Sequence, residues 1–376
     1  MARIFSGVGS LAQLGKLRSE YEGKNILLVT GKGSYAACGA KVVVDDVLAD
    51  ENILHFSDFD VNPKIEDAER GVELARAANV NLIVAIGGGS VMDMAKLIKA
   101  FYATPELSRE LARGEAKMVD PDIPMILVTT TAGSGSEATH FAVVYIGLDK
   151  YSLASQLLLP QAVILDARLI ATGTSYQKAC NGLDALAQAI ESAWAAGSTA
   201  ESRANSFKAV RLCANYLKKV IQDDADDAAL QGMIDAANLA GQAINISKTT
   251  AAHAWSYGIT SHYGVPHGHA VWLTLPMIFQ MHAQAGGAKV TDPRGAEHVT
   301  NIMKQLMEIL GIPSAEQAGT VLREYLTGLN VQLNMAEIGA DTFEKRAFLS
   351  LQVNMQRMSN NPVGLDEDDI NAIFAL

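Results

Sequence analysis

Residues Asn81–Lys96 read NLIVAI-GGGS-VMDMAK, and this stretch decides the fold. A short run rich in Ile, Leu and Val predicts a strand buried on both faces. Gly87, Gly88, Gly89 and Ser90 follow, and Val91–Lys96 begins a helix. Glycines let the backbone pass close to a ligand. A helix start offers unpaired N–H groups and a positive dipole end, which together suit a pyrophosphate. Three glycines alone are better read as a tight turn; with the strand before, the helix after and Ser90, a nucleotide site is favoured. The spacing is not GxGxxG, so the standard dinucleotide fingerprint is absent.

The same alternation extends outward. Asn25–Thr30 (NILLVT), Ile53–Phe56, Met125–Thr129 (MILVT) and Ala162–Asp166 (AVILD) read as strands, and Lys41–Ala49 and Ile65–Ala78 as helices. Strands alternating with helices predict a parallel sheet covered on both faces. Beyond about Asp166 strand-like runs nearly vanish. Gln177–Ala196, Ala200–Val220, Ala225–Ser247, Val271–Ala285 and Ala296–Leu310 carry helical spacing, and Gly286–Gly295 reads as a surface loop. The expected fold class is α/β plus all-α: a Rossmann-like nucleotide-binding domain over 1–168 and a helical domain over 169–376.

Composition limits the function. The chain has 376 residues, 49% hydrophobic and 19% charged, with a formal net charge of −11. That is enough apolar material for a sizeable core, and it argues against disorder. The acidity argues against duplex nucleic acid, whose binding depends on Lys/Arg neutralising phosphates. Cys38, Cys180 and Cys213 show no CxxC spacing, which fits a reducing compartment. The first residues lack an apolar stretch of signal-peptide length, and no run of about 18 apolar residues occurs. A cytoplasmic location without membrane attachment is expected.

Two polar constellations stand out. Thr129–Glu137 (TTTAGSGSE) follows a strand, where open α/β sheets bind ligands, although such a loop also serves helix capping. Asp184 and Gln188 are four apart in NGLDALAQAIES, so both oxygens face one way on a helix. With His253 and His267 they form a chemically sensible set for Fe(II) or Zn(II), though Asp and Gln on a helix are more often solvated.

GGGSVMDMAK (Gly87–Lys96), TTTAGSGSEAT (Thr129–Thr139), NGLDALAQAIES and HAWSYGITSHYGVPHGHA (His253–Ala270) together resemble the iron-containing (group III) alcohol dehydrogenases. FSGVGSLAQL (Phe5–Leu14), VNP (Val61–Pro63) and MSNNP (Met358–Pro362) fit as well, so the resemblance runs over nearly the whole chain, in order. It implies the dehydroquinate synthase-like architecture, with a nucleotide-binding α/β domain, a helical metal domain and a cleft between them. It implies a metal held by Asp184, His253 and His267, with Gln188 where the family has a further His. Gln is a weaker donor than imidazole. Tyr257 stands where the family commonly has another His near the nicotinamide, and is a candidate to donate a proton or a hydrogen bond, or to shape the pocket.

Gly31 occupies the place of the Asp that holds the ribose diol in NAD-using members. Lys32 and Ser34 are then available to a 2′-phosphate, so NADPH is expected ahead of NADH. By resemblance Asn62, Gly87, Gly88, Gly89, Ser90, Asp93, Thr129, Thr130, Ser134 and Lys150 line the cofactor site.

Within the family, SEATHFAVVYIGLDKYSLAS (Ser136–Ser155) and the Asp…Gln…His…His variant look closest to phosphonoacetaldehyde reductases. The activity implied is reduction of a small aldehyde to a primary alcohol, with phosphonoacetaldehyde going to 2-hydroxyethylphosphonate. His140, Lys150, Lys248, His262 and Arg357 are the candidate partners of a phosphonate. A general aldehyde reductase of the same family, a dehydroquinate synthase-like lyase and a non-catalytic metal- or nucleotide-binding relative are the competing readings. The family often dimerises, so a homodimer is expected.

Overall fold

The computed structural model describes residues 2–22, 24–147, 149–332 and 334–375. The chain divides into two compact units, Met1–Thr172 with Asp224–Asn238, and Gly173–Asp223 with Leu239–Leu376.

Among the described residues the first unit has eight strands: β1 (Arg3–Ser6), β2 (Asn25–Thr30), β3 (Asn52–Phe56), β4 (Leu82–Gly87), β5 (Met125–Thr129), β6 (Phe141–Ile146), β7 (Asp149–Ala154) and β8 (Ala162–Leu165). Six form one sheet in the order β1-β8-β5-β4-β2-β3, every neighbouring pair parallel. The two faces can be read off the alternation of side chains. Leu27, Val29, Ile83, Ala85, Met125 and Leu127 pack on one face with the helices Ile65–Ala77 and Gly89–Phe101. Ile26, Leu28, Leu82, Val84, Ile86, Ile126 and Val128 pack on the other with Leu11, Leu14, Leu17, Val44 and Leu48. Burial on both sides is why these strands are unbroken apolar runs.

Chain direction across the sheet reverses between β2 and β4. The connection from β2 leads outward to β3, and the one from β4 leads the other way to β5. Thr30 pairs with Ile86, and Gly87 with Thr129. The carboxyl ends of β2, β4 and β5 therefore lie level along one sheet edge, at the switch point where such sheets bind ligands.

Two features depart from the sequence reading. β1 is an added edge strand, and β6 with β7 forms an antiparallel hairpin apart from the main sheet. The other five strands and the helices expected at Lys41–Ala49 and Ile65–Ala78 fall within one or two residues of their expected bounds, while the helices Gln13–Glu20, Ser34–Ala37 and Ser108–Arg113 were not expected.

The second unit is helical. Its central helix, Ser175–Trp194, starts in a capping box between Thr174 and Gln177, and every residue from Gly182 to Trp194 is buried. The expected helix over Val271–Ala285 is two helices, His267–Trp272 and Leu275–Gln284, broken at Leu273–Thr274. Residues 286–295 are free of helix and make one bridge, Val290 to Val363. No helix among the described residues is long and apolar enough to cross a membrane.

Candidate functional site

In the helical unit, Asp184, His253 and His267 come together with one potential ligand atom each, all within 4.8 Å of one another. Three local features produce this. Asp184 lies on the buried helix Ser175–Trp194. His253 lies in the first turn of the helix Ala251–Tyr263. His267 begins the helix His267–Trp272, directly after Pro266. Gly268 lets that last helix lie against the first: a Cβ there would stand 2.0 Å from Cys180 O and 2.8 Å from the Asp184 backbone nitrogen. Only glycine permits His267 to come this close to Asp184.

The two imidazoles are oriented by partners that sequence reading missed. Glu191, fully buried and seven residues after Asp184, accepts from His253 Nδ1. The same carboxylate accepts from Thr250 Oγ1 at 2.7 Å and from Ala252 N at 2.9 Å. The Ser256 hydroxyl donates to His253 O at 2.9 Å, so its oxygen can accept from His267 Nδ1, 3.3 Å away. With the proton on Nδ1, each ring would offer its Nε2 lone pair to a cation. The carboxylate or hydroxyl behind a ligating histidine is what fixes its tautomer in metal sites. The i, i+7 spacing of Asp184 and Glu191 puts them on one helix face and was the available signal.

The site's electrostatics favour a cation. His253 Nε2 lies 3.5 Å from Asp184 Oδ1, and both atoms are buried without a hydrogen-bond partner. Orphaned buried polar atoms need an explanation, and a cation between them supplies one. Burial alone would lower the His253 pKa, but Glu191 and Asp184 outweigh it and push it up to about 9. Burial would raise Asp184 and Glu191; the neighbouring imidazoles hold both below the usual carboxylate range. Gln188 hydrogen-bonds Asp184. The Tyr257 ring stacks on His267 with centroids 5.5 Å apart.

In the first unit, the GGGS turn is packed from both sides. A Cβ on Gly87 would stand 2.4 Å from Val91 Cγ2, and one on Gly89 2.9 Å from Ser134 Oγ. The turn lies under the loop that follows β5, with Thr130 N donating to Gly87 O at 3.0 Å. Ser90 Oγ accepts from Asn62 N at 3.3 Å, and Asn62 is left-handed with φ 62°. Thr129 Oγ1 donates to Thr131 O at 2.8 Å, and Ser134 Oγ accepts from Ser136 N. These residues form a cradle of backbone N–H groups and hydroxyls at the start of a helix, which fits a pyrophosphate.

Asp93 and Lys96 brace that cradle. Asp93 accepts from Ser136 Oγ at 2.8 Å and from Val143 N at 3.2 Å. The fully buried Lys96 ammonium donates to Ser136 O (2.6 Å), Thr139 O (2.8 Å) and Phe141 O (3.0 Å). Burial lowers its pKa to about 8 against the opposing pull of Asp93 and Glu137.

Gly31 follows β2, and Ser34 sits over it: a Cβ at Gly31 would stand 2.4 Å from Ser34 Oγ. Lys32 lies 3.6 Å from Asp58 and 3.3 Å from Asp60. Lys150 is exposed on β7 opposite Tyr145. His140 packs edge-on against Phe141. His262 is exposed and edge-on to Phe348. Lys248 and Arg357 lie near each other in the helical unit, close enough for the arginine charge to lower the lysine pKa after burial has done so.

Comparison with known proteins agrees with the geometry. The family model for iron-containing alcohol dehydrogenase matches residues 2–167, and that for the Fe-containing alcohol dehydrogenase family, C-terminal, matches residues 178–376. The chain belongs to the iron-containing alcohol dehydrogenase family, and is an NAD(P)-dependent oxidoreductase. It is 34% identical over 308 residues to phosphonoacetaldehyde reductase of Streptomyces viridochromogenes, a match covering 80% of this chain and 76% of that protein. It is 31% identical over 335 residues to choline dehydrogenase of Bacillus subtilis, covering 84% and 83%. The crystal structure of sulfoacetaldehyde reductase from Bifidobacterium kashiwanohense in complex with NAD+ superposes with a TM-score of 0.88 at 25% identity, over 100% of this chain and 96% of that one. Membership in an oxidoreductase family sets aside the lyase and non-catalytic readings.

Proposed function

We propose that this chain reduces a small aldehyde carrying an anionic group, phosphonoacetaldehyde foremost, to its primary alcohol with NADPH. The general reaction, metal- and NAD(P)-dependent reduction of a small aldehyde, is supported by the Asp/His/His triad and by the family. The carrying observation is the convergence of Asp184, His253 and His267 within 4.8 Å, with Glu191 behind His253. When bound, a divalent cation polarises the carbonyl oxygen as a Lewis acid and reduced nicotinamide supplies the hydride.

The chain's own residues do the rest. Asp184, His253 and His267 would hold the cation, with the Gln188 amide oxygen as the fourth donor. Glu191 and Ser256 keep both imidazoles in the ligating tautomer. Tyr257, whose ring stacks on His267, would donate the proton to the product oxygen. The GGGS turn and the Thr129–Ser134 loop seat the pyrophosphate. Gly31, Lys32 and Ser34 would receive the 2′-phosphate of NADPH, Lys32 leaving its ion pairs with Asp58 and Asp60 to do so.

Loss of reduced-cofactor absorbance with phosphonoacetaldehyde, measured beside neutral aldehydes, tests the reading. Faster turnover of the phosphonate is expected. Good turnover of neutral aldehydes with none of phosphonoacetaldehyde would leave a general aldehyde reductase.

A further inference from the structure

Lys99 lies in the last turn of the helix Gly89–Phe101, where every residue from Met94 to Phe101 is buried. The lysine itself is 2% exposed. One turn earlier, Lys96 is also buried, and its ammonium donates to the Ser136, Thr139 and Phe141 carbonyls. Lys99 has no such partners. Among the described residues its ammonium makes no hydrogen bond and no ion pair. A buried charge without a partner is costly, and the dipole at the helix C-terminus offsets only part of that cost. Such a group needs an explanation.

Lys99 lines a cavity of about 260 Å³, together with Tyr21, Asp120, Asp122, Ile123, Pro124 and Gln161. The cavity sits at the amino ends of β5 and β8, which begin at Met125 and Ala162. The cofactor cradle lies at the carboxyl ends of β4 and β5 and at the start of the Lys99 helix. Gly89 and Lys99 are ten residues apart on that helix, roughly 15 Å along its axis. The cavity is therefore separate from the cradle.

Its walls offer donors and acceptors in two groups. Gln161 Oε1 accepts from Met125 N at 2.7 Å, which leaves the amide nitrogen of the same side chain to donate. The Tyr21 phenol accepts from Arg3 at 3.0 Å, which leaves its own hydrogen to donate. With Lys99 these make three donors. The acceptors are Asp120 and Asp122, both exposed, and tied into one turn where Asp122 N donates to Asp120 Oδ1 at 3.0 Å. Ile123 and Pro124 add an apolar wall.

We propose that this cavity binds a small zwitterion, an amino acid whose carboxylate takes Lys99, Gln161 and Tyr21 while its ammonium rests against Asp120 and Asp122. An anion alone is repelled by the two aspartates, and a cation alone leaves Lys99 unpaired. The site is independent of the aldehyde-reductase reading above, since it shares no residue with the metal triad or the cofactor cradle.

Glycine, β-alanine and 4-aminobutyrate are titrated into the full-length, metal-loaded protein, with binding read by saturation-transfer NMR of the ligand protons. Butyrate and butylamine supply each charge alone. The best of the three amino acids should bind about tenfold or more tightly than either. Lys99→Met keeps the bulk and removes the buried charge, so the melting temperature should stay at or above wild type. It should weaken that amino acid about tenfold, the scale for losing one charge-assisted hydrogen bond. Asp122 is left-handed, φ 54°, which Asn also tolerates. Asp122→Asn should weaken the amino acid and strengthen butyrate.

Absence of binding by all three amino acids overturns the proposal, and so does butyrate binding as tightly as the best of them. Binding that Lys99→Met leaves unchanged overturns it as well. Should Lys99→Met fail to fold, Asp122→Asn decides alone, and unchanged amino-acid binding there is contrary. Displacement of the amino acid by NADPH or by an aldehyde would assign it to the catalytic site and also overturn the proposal.

Discussion

The Glu191 carboxylate holds the Nδ1 hydrogen of His253, which turns His253 Nε2 toward Asp184 Oδ1, 3.5 Å away. A carboxylate behind the imidazole and another in front of it make a site that attracts a divalent cation. The buried glutamate would act on such a cation through the His253 ring.

Glu191→Gln should therefore weaken metal binding about 10–100-fold while the triad remains intact. Zn2+ titration calorimetry and elemental analysis check this. Unchanged affinity would mean that Glu191 serves only the helix start at Thr250–Ala252.

Gly268→Ala should be more damaging. Its Cβ would meet Cys180 O at 2.0 Å, which is backbone and cannot swing aside. Overpacking of this kind costs roughly 1–3 kcal/mol, and His267 must move away from Asp184. Thermal unfolding and metal content should both fall.

Lys32→Ala tests cofactor choice. The ratio of kcat/KM for NADPH to that for NADH should drop about tenfold, one charge-assisted hydrogen bond of roughly 1.5 kcal/mol. Asp60→Asn should raise the ratio, since Asp60 lies 3.3 Å from the Lys32 ammonium and competes for it. Steady-state kinetics with each cofactor decide it.

Acid stability has a traceable contribution from His282. This residue is buried against Trp194, ring centroids 4.5 Å apart, and its Nε2 accepts from Asn361 Nδ2 at 3.0 Å. Burial lowers its pKa from 6.5 to about 3. Between those values the unfolded chain binds the extra proton, so stability rises with pH. The contribution is complete above about pH 6.5 and is lost as pH falls toward 3. Folding should be weaker by about 2 kcal/mol at pH 5 than at pH 7 from this group alone. His282→Gln should flatten that part of the profile, measured by denaturant unfolding at each pH.

Much of this was legible in the sequence, for physical reasons. NILLVT, NLIVAI and MILVT are strands covered on both faces, so they are continuous apolar runs that turn residues cannot imitate. β1 was not legible: RIFS is four residues long and mostly exposed at a sheet edge. FAVVYI of β6 has a strand's composition, but its pairing with β7 depends on a turn and not on periodicity. The break after Trp272 falls at Leu273–Thr274, where apolar spacing continues and hides it. Asp184 with Gln188 was readable from i, i+4 spacing. Glu191 was not, because an acid on a helix is usually solvated, and only the fold shows it sealed behind His253. Gly268 looked like part of a string; its reason is a contact with a helix more than eighty residues earlier.

The most telling measurement follows reduced-nicotinamide consumption with an aldehyde before and after chelation of the protein. Activity should vanish with the metal and return on adding Fe2+ or Zn2+, and Asp184→Ala should neither bind the ion nor recover. Undiminished turnover by protein shown to be free of metal would contradict the role assigned to Asp184, His253 and His267.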